Sequence, residues 1–127
     1  MVAASSPLGR FSGVATAVSE HSLLDLFEQL RLRGQGYLEV SWQGSEYPML
    51  AVGLSGMHAV IHLFERQDSV CLLQGDGSST SEIVEVQIIN ELASFEGVFA
   101  VSVDNVQPIL EQFANGELPQ HVVRIPL

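Results

Sequence analysis

Between Tyr37 and Ile89 the apolar residues fall into five short runs, residues 37–42, 49–54, 57–64, 70–73 and 83–89, each bounded by turn-forming residues. Runs of this length, rich in β-branched and aromatic residues, are the mark of an antiparallel meander. In the first run Leu38, Val40 and Trp42 alternate with Tyr37, Glu39 and Ser41, the period of a sheet with one covered face. Residues 57–64 lack that alternation, which predicts a central strand. Residues 43–47, Ser55 with Gly56, and residues 65–68 supply the connecting turns, the last of them a charged hairpin tip.

Helices flank this meander. Ser22 with Asp25 forms a capping pair, Leu23, Leu26, Phe27 and Leu30 recur at helical spacing, Arg31 and Arg33 sit in the last turn, and Gly34 can end it. A first strand is predicted over residues 11–18 and another over 98–101, after which Ser102 can cap a second helix running to Ala114 and stopping at Asn115 and Gly116. Pro108 either kinks that helix or moves its start nearer Gln107, and both versions pack Ile109, Leu110 and Phe113 inward. Proline at 119 and 126 brackets a last strand, 121–125, at a sheet edge. The prediction is an α+β fold, a mostly antiparallel sheet of about six or seven strands with two helices, in a single domain spanning 1–127.

Charge narrows the function. Fifteen acidic residues face five arginines and no lysine, a formal net charge of −10. A phosphate backbone is bound by clustered cations, so nucleic acid is excluded as a partner, and a basic protein is what this field attracts. With 46% apolar and 16% charged residues, the chain has the composition of a folded globule. The longest apolar stretch, 57–64, is interrupted by His58 and His62 and is far below the roughly 20 residues of a membrane helix. Residues 1–11 show no basic segment followed by an apolar one, so residence in the cytoplasm is the expectation.

The candidates for chemistry each fail a geometric requirement. His58 and His62 sit four apart on a predicted strand, about 13 Å from one another, whereas zinc holds each nitrogen at about 2 Å. The Gly-rich run 74–81, QGDGSSTS, leads into a β-branched strand rather than a helix N-terminus and reads as a mobile surface loop, not a phosphate cradle. No Gly-x-Ser-x-Gly elbow exists, and the single cysteine, Cys71, lies in an apolar run that predicts a buried, inert thiol. One cysteine also cannot supply the zinc site of a nucleobase deaminase. No catalytic residue, metal or cofactor is therefore predicted, and the chain reads as a binding module rather than an enzyme.

From Glu46 onward the chain resembles the immunity-protein family of bacterial polymorphic toxin systems that is paired with deaminase toxins. The resemblance rests on Tyr47-Pro48-x-Leu50-x-Val52 entering a strand, the apolar run 57–64, the strand 83–89, and Val101-Ser102 opening a helix. Its most specific piece is Phe113-Ala114-Asn115-Gly116-Glu117-Leu118-Pro119. Arg124 stands where the family often has a tryptophan. The resemblance implies a bacterial inhibitor that binds a cognate toxin domain with a basic active-site face, a nucleic-acid deaminase, and covers its active-site entrance. A non-enzymatic chaperone or regulatory module of an export system is the alternative.

The expected binding surface is acidic and turn-rich: Glu65 and Asp68 at the hairpin tip, and Asp76 and Glu82 flanking the Gly-rich loop, with Trp42 and Tyr47 as aromatic anchors. For Trp42 a place in the core is the competing reading.

Overall fold

A computed structural model of the chain describes residues 1–5, 16–79 and 82–125. In chain order its elements are β1 (Val2–Ser5), β2 (Thr16–Ala17), α1 (Glu20–Arg33), β3 (Gln35–Ser41), β4 (Met49–Ser55), β5 (His58–Arg66), β6 (Ser69–Leu73), β7 (Ile83–Ile88), β8 (Glu91–Glu96), β9 (Val101–Ser102), α2 (Val106–Ala114) and β10 (Val122–Ile125). The fold is α+β. An eight-stranded sheet runs β10-β6-β5-β4-β3-β1-β2, with β9 also paired to β5, and β7 and β8 form a separate hairpin. Every pairing is antiparallel.

The alternation of side chains sorts the sheet into two buried faces. Leu38 and Val40 of β3, Leu50, Val52 and Leu54 of β4, Ala59, Ile61 and Leu63 of β5, and Cys71 and Leu73 of β6 pack against the helices. The helices answer with Leu23, Phe27 and Leu30 from α1 and Val106, Leu110 and Phe113 from α2. Each fully buried Val, Leu, Ile or Phe among them contributes about 1.5–3 kcal/mol of hydrophobic stabilisation. On the opposite face Val60 and Leu72 meet Val84 and Val86 of β7 and Ala100, with Ile88, Phe95 and Phe99 at the margin. Strand β5 is thus covered above and below, which is why its sequence does not alternate.

The hairpin lies close on the sheet because Gly53 has no side chain. A Cβ built there would fall 2.2 Å from the carbonyl oxygen of Gln87 and 2.9 Å from Ile88 Cδ1. Gln87, 2% exposed, donates from Nε2 to the Ile89 carbonyl at 2.8 Å and accepts from Gln35 Nε2 at 3.4 Å. These bonds satisfy a polar group sealed between the layers, which would otherwise cost stability.

Several sequence expectations shift. Helix α1 is capped by Ser19, whose hydroxyl accepts from the Ser22 N–H at 3.1 Å, so Ser22 lies inside the first turn rather than at its cap. Gly34 ends the helix as expected, its N–H reaching Leu30 and Arg31 carbonyls. Met57 belongs to the turn before β5. The strand expected over 98–101 is instead a 3-10 turn, Gly97–Phe99, followed by the short β9. A second 3-10 turn, Val103–Asn105, leads into α2, which starts at Val106 and places Pro108 in the first turn, where its missing N–H costs no helical bond. Strands β1 and β8 lie outside the expected set. Of the strand expected over 11–18, residues 11–15 lie outside the described residues, and Thr16–Ala17 form β2.

Candidate partner-binding surface

Register places the six sequence candidates at two ends of the sheet. Ser41 pairs with Met49, Met49 with Phe64, and Phe64 with Val70, so Trp42, Tyr47, Glu65 and Asp68 gather at one end. Asp76 and Glu82 follow β6 at the other, separated from Asp68 by that strand, about 17 Å long at its five residues. The six do not form one patch.

At the first end most of the candidates are committed to the fold. Trp42 is partly buried, stacks on Phe113 with ring centroids 5.1 Å apart, and donates its indole N–H to the Phe113 carbonyl at 2.8 Å. That carbonyl is among the last of α2, and the helix end is finished by Asn115 and Glu117 N–H groups bonding the Gln112 carbonyl. The Phe113-to-Pro119 signature is therefore a helix stop joined to Trp42. Tyr47 is half-buried, precedes a cis peptide bond to Pro48, and accepts at its carbonyl from the Ser45 hydroxyl. Glu65 lies in β5 rather than in the turn. An irregularity in the β5–β6 register between Phe64 and Arg66 accompanies its turn towards Cys71, whose thiol donates to Glu65 Oε1 at 3.3 Å. Cys71 is 1% exposed. Asp68 is exposed in the turn, 3.8 Å from Arg66.

At the second end Asp76 organises a loop. Its carboxylate accepts from the Ser78 N–H at 2.9 Å, the Ser102 N–H at 2.8 Å and the Asn105 side chain at 2.7 Å. Partial desolvation works to raise its pKa, but these hydrogen bonds outweigh it and hold the carboxyl well below the usual carboxylate range. Neighbouring backbone bonds run from Gly75 N–H to the Val98 carbonyl at 2.8 Å and from Asp76 N–H to the Ala100 carbonyl at 3.2 Å. A Cβ at Gly75 would lie 2.3 Å from the former oxygen. The start of the Gly-rich run is thus fastened, a correction to the mobile loop expected for all of it.

Beside this loop opens a cleft of about 640 Å³ lined by Gly75, Gly77, Glu82, Ile83, Glu96 and Val98. Glu82, exposed, bonds through its carbonyl to the Gly97 N–H at 2.7 Å and leaves its carboxylate outside. The hairpin above and the 3-10 turn after it carry four of the eight exposed large apolar side chains among the described residues: Ile83 (56%), Ile89 (48%), Leu92 (53%) and Val98 (58%). Interleaved with them are Glu82, Glu85, Glu91 and Glu96, all exposed, and residues 82–98 contain no Arg, Lys or His. Among the described residues none of these four carboxylates has an ion-pair partner. No protein-family model matches the chain, and no curated protein matches it.

His58 and His62 lie on β5 as expected, with side chains on the hairpin face. His62 packs edge-on against Phe95 at 5.3 Å and beside Phe64 at 6.1 Å, and burial lowers its pKa. No group of three or more His, Cys, Asp or Glu side chains converges among the described residues. No helix there is long and apolar enough to cross a membrane. The surface is suited to holding a partner with both cationic and apolar groups. Sequence reasoning missed Leu92, Glu85, Glu91 and Glu96. The signal available was the absence of any cation across 82–98 alongside apolar residues spaced too closely for a loop.

Proposed function

We propose that this chain is a non-enzymatic immunity protein that binds a cognate bacterial toxin domain and covers its active-site entrance. The observation that carries the reading is the surface of residues 82–98, where four glutamates with no ion-pair partner among the described residues are set among Ile83, Ile89, Leu92 and Val98. A field of this sign speeds encounter with a basic protein, and apolar groups at its centre hold the complex once formed. A toxin that acts on nucleic acid has a basic groove, and carboxylates can occupy the places of phosphates there. The resemblance across residues 46–119 supplies the toxin class, a nucleic-acid deaminase. The alternative of an export chaperone uses the same surface but requires no loss of toxin activity on binding.

Co-expression of the chain with the toxin domain encoded beside it is the test. Survival of the host, co-purification of the two chains, and loss of deaminase activity at one equivalent are the expected results. Co-purification with activity intact would replace inhibitor by chaperone, and no association would overturn both.

A further inference from the structure

We infer that the partner docks by adding an extended segment of alternating basic and apolar residues to the outer edge of β8. The inference rests on the immunity reading for the partner's identity, and on the hairpin's geometry for the mode.

The phase of the hairpin decides which backbone groups are available. The bond from Gly97 N–H to the Glu82 carbonyl, with the unbroken register Val84↔Phe95, Val86↔Ala93 and Ile88↔Glu91, turns the amides of Glu91, Ala93 and Phe95 towards β7. Leu92, Ser94 and Glu96 therefore direct their N–H and C=O groups away from it. Strand β8 pairs with β7 alone among the described residues, so these groups form a free edge. Such an edge is a template for another strand.

The surroundings suit an incoming strand. Phe95 of β8 rests on His62, and Phe64, the next residue of β5 on that face, stacks on His62 while staying partly exposed. His62 and Phe64 thus form a partly exposed aromatic shelf beside Phe95. A strand laid there would place every second side chain on the shelf and the others outward, beside Leu92, Ser94 and Glu96 of β8, with Glu85 one strand further on the same face. The shelf calls for apolar residues and the outer row for cations. A second copy of this chain is the poorer occupant, because edge-to-edge pairing would bring Glu91 and Glu96 of two β8 strands onto one seam with no cation between them.

Amide hydrogen exchange on isotopically labelled chain tests this with two probes, the neighbouring toxin domain and the capped peptide Arg-Val-Arg-Val-Arg-Val. With either probe bound, Leu92, Ser94 and Glu96 should exchange at least about tenfold more slowly, with a smaller change at Ala93 and Phe95. Ser94→Pro, which removes an outward N–H and no bond to β7, should weaken binding of both probes by about tenfold or more. If the toxin domain binds while those three amides stay unprotected, edge addition is wrong and the immunity reading stands. If the toxin domain does not bind, the immunity reading falls and the peptide alone decides the edge. Absence of protection with both probes overturns the inference. So does protection that grows with chain concentration when no probe is present, since it would identify a second copy as the occupant.

Discussion

The indole N–H of Trp42 donates to the carbonyl oxygen of Phe113 at 2.8 Å while the two rings stack 5.1 Å apart. This pair joins the end of β3 to the last turn of α2. Trp42→Phe keeps most of the stacking and loses the bond, so it should cost about 1 kcal/mol, whereas Phe113→Ala, which empties a fully buried site, should cost about 3–5 kcal/mol. Urea unfolding of both variants checks the order. Equal losses would mean that the hydrogen bond, not the packing, holds the helix end.

Gly53→Ala should detach the hairpin before it unfolds the sheet. The new methyl meets the Gln87 backbone oxygen at 2.2 Å, and although the end of the Ile88 side chain at 2.9 Å can yield, that backbone cannot do so without moving the hairpin. A loss of about 1–3 kcal/mol is expected, with faster amide exchange in β7 and β8 than in β4 and β5. Exchange that rises uniformly would show that the two layers unfold as one.

Asp76→Ala should release the start of the Gly-rich loop at a cost of about 1 kcal/mol, discounted for solvent exposure. Because its folded pKa is depressed, the stabilisation is fully present above the unfolded value of about 3.9 and is lost as pH falls through the folded pKa. The gap between parent and variant should be constant from pH 7 to about 5 and close in stronger acid. Thermal melts across that range measure it.

His62 acts in the same direction, in a higher pH window. Burial lowers its pKa in the folded state, so below the unfolded value of about 6.5 the unfolded chain takes up more protons and stability declines as pH falls. His62→Phe should flatten the slope of stability against pH between about 6.5 and 5. An unchanged slope would place the titration elsewhere.

Ile89 has φ 58, a conformation that a β-branched residue rarely adopts, at the tip joining β7 to β8. Ile89→Gly should stabilise the fold by up to about 1 kcal/mol, since little burial is lost and the strain is removed. If the exposed isoleucine is a contact, the same variant binds the toxin domain more weakly. Thermal melting paired with a binding titration separates the two effects.

Much of the architecture was legible because each strand of the meander buries side chains in a pattern its sequence repeats. The run without alternation that became β5 announced burial on both faces, and Gly34 and Gly116 announced helix ends. Strand β8 was not legible: Glu91, Leu92, Ser94 and Glu96 are all exposed, and a strand lying outermost on a second layer needs no clean alternation. Glu65 was read as a turn residue because the β5–β6 irregularity that accompanies its turn towards Cys71 leaves no trace in local composition. The candidate surface split for a simpler reason. Turn residues at the two ends of one strand look adjacent in sequence and are a strand's length apart in space.

Strand β5 gives one edge wholly to β4 and divides the other between β6 and β9. The two claimants reach it at different times. β6 follows after a tight turn, whereas β9 comes roughly thirty residues later, after a hairpin that can close by itself. During synthesis His58 and Ala59 therefore wait with one side unpaired until Val101 and Ser102 emerge. Seating β9 also brings Ser102 to Asp76 and Ala100 to the loop after β6, so the hairpin becomes fastened at its base in the same event. A nascent chain halted before Val101 is left with an open strand edge, vulnerable to proteases and to pairing with another chain.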